Sequence, residues 1–144
     1  MPLYNPEIIG KLISEMRKSV KRLNVLSSID ENQFKEDPDK IASAKYHFIV
    51  AIESIIGIAN HIISQNGFRK PDDYADTFKV LLEEGIIDAD FANNLQDMSK
   101  FRNRFVHIYW QVDDDQLWNI LKSRLSDFKK FLNSISDFLK LEKL

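Results

Sequence analysis

Within the octet Arg102-Asn103-Arg104-Phe105-Val106-His107-Ile108-Tyr109, an arginine is followed five residues on by a histidine and two further by a tyrosine. Histidine, with an ordinary pKa of about 6.5, takes and gives protons near neutral pH. Arginine stays charged, and its planar fork of donors matches phosphate oxygens better than lysine does. RNA carries its own nucleophile, because a 2′-hydroxyl can attack the adjacent phosphorus. A protein acting on it needs only proton transfer and stabilisation of the charge that grows in the transition state, with no metal. His107 suits the first task, where positioned acid–base catalysis is typically worth roughly 10²–10⁴-fold. Arg102 suits the second. The products expected are a 2′,3′-cyclic phosphate and a 5′-hydroxyl end. Each residue also has a structural reading. His107 can bond backbone carbonyls at a helix end, Arg102 can pair with an acid such as Glu53, and Tyr109 can pack with its hydroxyl wet.

The octet falls where a helix is expected to run out. Asp88 reads as the cap of that helix, and Phe91, Leu95, Met98, Phe101, Phe105 and Val106 recur along it at helical spacing. On such a helix Arg102 and His107 lie about 140° apart, so they do not share a face. Asn103 and His107, four residues apart, do share one, which places Asn103 to orient the imidazole by hydrogen bond. Arg102 must then curl round or serve a neighbouring subunit. Lys100 and Arg104 either decorate a solvated face or touch RNA phosphates.

The remaining elements read as a scaffold. Asn5-Pro6-Glu7 is a cap followed by proline at the first helical position, opening a helix to about Ile29. The polar segment Asp30 to Glu36 reads as a loop. Asp37-Pro38 repeats the cap signal and opens a central helix, apolar on a wide face from Ile41 to Ile63 and ended by Asn66-Gly67. A short helix carries Tyr74, Phe78, Leu81 and Leu82, with Gly85 after its end. Asp113-Asp114-Asp115 places negative charge at the start of a last helix, whose apolar face runs from Leu117 to Leu139. The expectation is an all-α antiparallel bundle of four long helices plus one short helix, forming a single domain over residues 1–144.

Composition bounds the rest. The 144 residues include only four Gly and four Pro, little material for the turns of a β-rich fold. A net charge of −2 argues against coating nucleic acid through bulk charge, so any RNA site must be a local basic patch. The absence of cysteine rules out thiol chemistry and fits a cytoplasmic location. The start of the chain lacks the basic flank and apolar run of a signal peptide. The stretch Phe48 to Ile63, interrupted by Glu53, Ser54, Asn60 and His61, reads as too short and too polar to span a bilayer. No metal site is expected. His47 and His61 lie about 21 Å apart along their helix, too far to share an ion, and His61 among isoleucines reads as a satisfied core or interface residue. The Asp113–Asp115 run reads as a helix cap, and Trp110 and Trp118 as packing residues.

The block Gly67-Phe68-Arg69-Lys70-Pro71, continuing through Phe78, Leu81, Leu82 and Glu84-Gly85-Ile86-Ile87 to residues 102–109, resembles the HepT-like HEPN proteins. These are the toxin half of HepT/MntA-type toxin–antitoxin modules of bacteria and archaea. Helix order and length fit over nearly the whole chain, and the specific motifs lie between Gly67 and Tyr109. The resemblance implies a homodimer whose two motifs meet at one cleft, acting as a metal-independent endoribonuclease with no cofactor. It implies that Arg102 and His107 are the catalytic pair. It makes Tyr109 the residue to which an MntA-type nucleotidyltransferase antitoxin attaches AMP, adding bulk and negative charge where an RNA phosphate must sit. Two histidines at a two-fold cleft can serve as separate base and acid, so a monomer is expected to be inactive. One departure stands out: similar proteins often carry an acidic residue where Gly57 stands, so an accessory acid must come from elsewhere, with Glu53 the candidate. Two other roles compete: a non-catalytic binding subunit of a nucleotidyltransferase complex, and a helical dimer serving as scaffold.

Overall fold

Helix starts follow the caps. The computed structural model describes residues 2–107 and 113–141, and among these residues there are seven helices and no strand. They are α1 (Pro6–Ser27), α2 (Glu31–Lys35), α3 (Pro38–Gln65), α4 (Tyr74–Glu83), α5 (Ala89–Val106), α6 (Asp114–Ser123) and α7 (Ser126–Leu139). Asn5 accepts from the N–H groups of Glu7 and Ile8 at 3.0 and 3.3 Å, and Pro6 begins α1. Asp37 does the same for α3 ahead of Pro38. Asp88 caps α5 by accepting from the Phe91 N–H at 2.8 Å, and Asp113 caps α6. Each cap satisfies N–H groups that the first turn leaves without helical partners. α4 ends with Gly85 at φ +73°, and the Ile86 N–H reaches back to the Leu81 carbonyl at 2.9 Å. That left-handed turn admits glycine without strain.

α3 is the axis of the bundle. Phe48, Ala51, Ile52, Ile55, Ile58, Ala59 and Ile62 are all buried, covered by α1 along one side and by α4, α5, α6 and α7 elsewhere. At 28 residues α3 is longer than the apolar stretch read from the sequence, and by length and composition it is the one described helix that could cross a bilayer. Its apolar surface is spent instead on the core of the bundle.

The all-α bundle stands, with two differences in its elements. The segment Asp30 to Glu36, expected as a loop, contains α2, capped by Asp30 and pinned by the fully buried Phe34, whose ring lies 5.3 Å from that of Trp118. A single apolar residue produces no periodicity, which is why the sequence hides it. The expected last helix is broken into α6 and α7 at Arg124–Leu125. The break lets each half pack on different neighbours. Trp118 and Lys122 of α6 meet Phe34 and the Ser27 carbonyl, while Phe131 and Phe138 of α7 meet Phe78 and Phe68.

The first residues are stitched to the far end of α3. Leu3 donates its N–H to Asn66 Oδ1 at 2.8 Å, and Asn66 Nδ2 donates to the Leu3 carbonyl at 2.9 Å. The Asn5 N–H donates to His61 Nε2 at 2.8 Å, so the imidazole serves as a satisfied structural residue, as its isoleucine surroundings suggest.

Candidate active site

α5 delivers Arg102 one turn before its end, and the side chain turns towards α3 and α4. Its Nε donates to Glu53 Oε1 at 3.0 Å, its Nη2 donates to the same oxygen at 2.6 Å, and its Nη1 donates to Asn103 Oδ1 at 3.2 Å. The guanidinium carbon also lies 5.1 Å from the centre of the Tyr74 ring, within cation–π range. Glu53 comes from α3 and Tyr74 is the first residue of α4, so three helices converge on one cation. Only 19% of the Arg102 side chain reaches solvent, against 46% of Glu53's. The guanidinium has five N–H donors, and bonds to the described residues use three of them, one on each nitrogen.

His107 is the residue that ends α5. The helix stops at Val106, and His107 adopts an extended backbone at φ −91° and ψ 111°, with its side chain exposed. His107 thus holds the C-cap position, four residues after Asn103, whose amide oxygen is engaged by Arg102. Lys100 and Arg104 are exposed on α5, Arg104 lying 5.9 Å from the centre of the Phe101 ring. Tyr109 and Trp110 lie outside the described residues. A groove of about 330 Å³ runs beside Glu53 between α1 and α3, lined by Leu12, Glu15, Val50, Glu53 and Ser54.

Glu53 was legible as a candidate partner for Arg102. Tyr74 was not; helical spacing placed it with the apolar residues of α4, and nothing local in the sequence reveals that α5 brings a cation onto its ring. Gly57 lies one turn beyond Glu53, and a Cβ built there would meet the Leu12 side chain at 3.4 Å. Glu53 is the acid paired with Arg102, while Leu12 lies over Gly57. Elsewhere, His47 Nδ1 is 3.0 Å from Ser19 Oγ, and its pKa is held below the ordinary value by burial first and by the charge of Arg22 second. No group of three His, Cys, Asp or Glu side chains suited to a metal occurs among the described residues.

The all-α bundle has the architecture of HEPN-type proteins. The chain belongs to the ribonuclease HepT-like family, whose profile matches residues 16–135. It is 30% identical over 129 residues to the mRNA nuclease HepT of Shewanella oneidensis, covering 90% of this chain and 96% of that one. Its fold is similar to that of the tri-AMPylated Shewanella oneidensis HEPN toxin solved in complex with its MNT antitoxin, with a TM-score of 0.84, 29% identity, and coverage of 90% of this chain and 97% of that one. A toxin–antitoxin crystal structure with AMP-PNP is similar at a TM-score of 0.82 and 29% identity, covering 91% of this chain and 98% of the other.

Proposed function

We propose that this chain is the toxin of a toxin–antitoxin pair: a metal-independent endoribonuclease of the cytoplasm, held inactive by a nucleotidyltransferase antitoxin that attaches AMP to Tyr109. The observation that carries the reading is the mounted guanidinium of Arg102, fixed by Glu53 and Asn103 with two N–H groups that no described residue engages, five residues ahead of an exposed histidine. A phosphodiester bound by those N–H groups would have its growing charge offset by Arg102. His107 would take the 2′-hydroxyl proton or return one to the leaving 5′-oxygen. A homodimer would supply two such histidines to one cleft, and the groove between α1 and α3 offers open surface beside Glu53 for a second copy. Lys100 and Arg104 would guide the RNA backbone. The family and the similarity to an AMPylated toxin bound to its antitoxin support the partner and the modification.

The test is expression without a partner in bacteria, beside His107→Ala, with cleavage of messenger RNA followed in vitro in the presence of a chelator. Growth arrest by the native chain alone, and 2′,3′-cyclic phosphate ends that persist with chelator, are expected. Equal growth of both strains and uncut RNA would refute the reading. The pairing of Arg102 with Glu53 favours a second reading, a non-catalytic subunit that serves the nucleotidyltransferase through this surface. It predicts tight binding to the nucleotidyltransferase with no cleavage.

A further inference from the structure

We propose that Tyr74 is the stacking platform for a nucleobase flanking the phosphate that Arg102 binds, a substrate-positioning residue in the RNA site; this rests on the ribonuclease reading above. α4 does its packing with Thr77, Phe78, Val80 and Leu81, all buried, whereas Tyr74 remains 40% exposed at the helix start. Its ring already carries the Arg102 guanidinium at 5.1 Å, so a phosphate held by that cation brings the neighbouring base to the same ring. Single-stranded RNA is read in this way, its unstacked bases lying on aromatic rings and guanidinium planes while cations hold the backbone.

The ring is presented on a fixed mount. Arg69, in the connector before α4, grips Asp76 with Nη1 and Nη2 at 2.7 and 3.0 Å and Glu83 with Nε and Nη2 at 3.1 and 3.0 Å. The Asp72 N–H donates to Asp76 at 2.9 Å, and Asp73 caps the helix by accepting from the Asp76 N–H at 2.7 Å. These bonds lock the residues on both sides of Tyr74. A tyrosine has only two side-chain torsions to freeze, so a base meets a surface that loses little freedom on binding. Stacking discriminates weakly among bases, which makes this residue a determinant of single-strandedness rather than of sequence.

The experiment measures binding of a short single-stranded RNA to His107→Ala protein by fluorescence anisotropy across a salt series. Adding Tyr74→Ala is expected to weaken binding by roughly 5- to 150-fold, the range for losing one base–aromatic stack. The slope of log K against log salt should stay unchanged, because no phosphate contact is lost. Arg102→Ala should instead make the slope shallower by about 0.7. Tyr74→Phe and Tyr74→Trp should keep affinity, and Tyr74→Leu, which preserves apolar bulk, should lose most of it. Unchanged binding in Tyr74→Ala overturns the inference while leaving the ribonuclease reading intact. A shallower salt slope in Tyr74→Ala also overturns it, since the ring would then act only by holding Arg102. RNA that does not bind the His107→Ala parent at all defeats the ribonuclease reading, and the inference with it.

Discussion

Replacing Glu53 by glutamine keeps the shape of its contact with Arg102 and removes its charge. A phosphate bound to the two guanidinium N–H groups that no described residue engages would lie roughly 5 Å from the Glu53 carboxylate. At that separation two like charges repel by about 0.8 kcal/mol in a water-like medium and by about 3 kcal/mol at an effective dielectric near 20. Because 46% of the Glu53 side chain reaches solvent, the lower figure governs, about 1 kcal/mol or roughly fivefold in affinity. Glu53→Gln should therefore bind RNA about fivefold more tightly, measured by anisotropy on His107→Ala protein. The loss of stability should stay below about 1 kcal/mol, no more than roughly 2–4 °C in Tm. Turnover should move the other way. With the amide a weaker anchor, the guanidinium wanders, and a misplacement on the order of 1 Å costs up to roughly 10²-fold in rate. The signature is tighter binding with slower cleavage. Weaker binding by tenfold in Glu53→Gln would refute this account of the carboxylate as a competitor for the cation.

His107→Ala should lower cleavage by roughly 10²–10⁴-fold with RNA binding retained, read from single-turnover rates and anisotropy together. Asp76 is held at a pKa of about 2 by the hydrogen bonds from Arg69 first and from the Asp72 N–H second, below its ordinary 3.8. A lowered carboxylate stabilises the fold above its unfolded pKa, and that support is lost as pH falls through the folded one. Asp76→Asn should accordingly flatten the fall in urea midpoint between about pH 4 and pH 2. Phe34→Ala empties a fully buried site against Trp118 and should cost about 3–5 kcal/mol in denaturant unfolding, although it lies in a five-residue helix.

Helix beginnings were readable from the amino acids because their chemistry is local: Asn5-Pro6 and Asp37-Pro38 carry both the acceptor and the proline that restricts the residue before it, and Asp88 carries the acceptor alone. α2 was hidden because its stability is tertiary, resting on Phe34 beneath Trp118. The break at Arg124–Leu125 contains neither glycine nor proline, and the apolar spacing of α6 and α7 runs on across it without a fault. At the site, Arg102 and its partner acid could be named from residue types. The end of α5 at Val106, with His107 as its C-cap, falls inside the motif where the helix was expected to run out. The convergence of Tyr74 on Arg102 joins residues 28 positions apart, and only the packing of α4 on α5 makes it.

The stitching of Leu3 and Asn5 to Asn66 and His61 has a practical side. These opening residues form a seam of the fold, so an affinity handle or fused domain added ahead of Pro2 emerges beside the closing turn of α3. Counting along that helix, Asn66 is 13 residues beyond Glu53, about 20 Å from the arginine cluster. A handle placed there stays clear of the arginine cluster, whereas deleting residues 2–5 would uncap α1 and remove the bonds to Asn66 and His61.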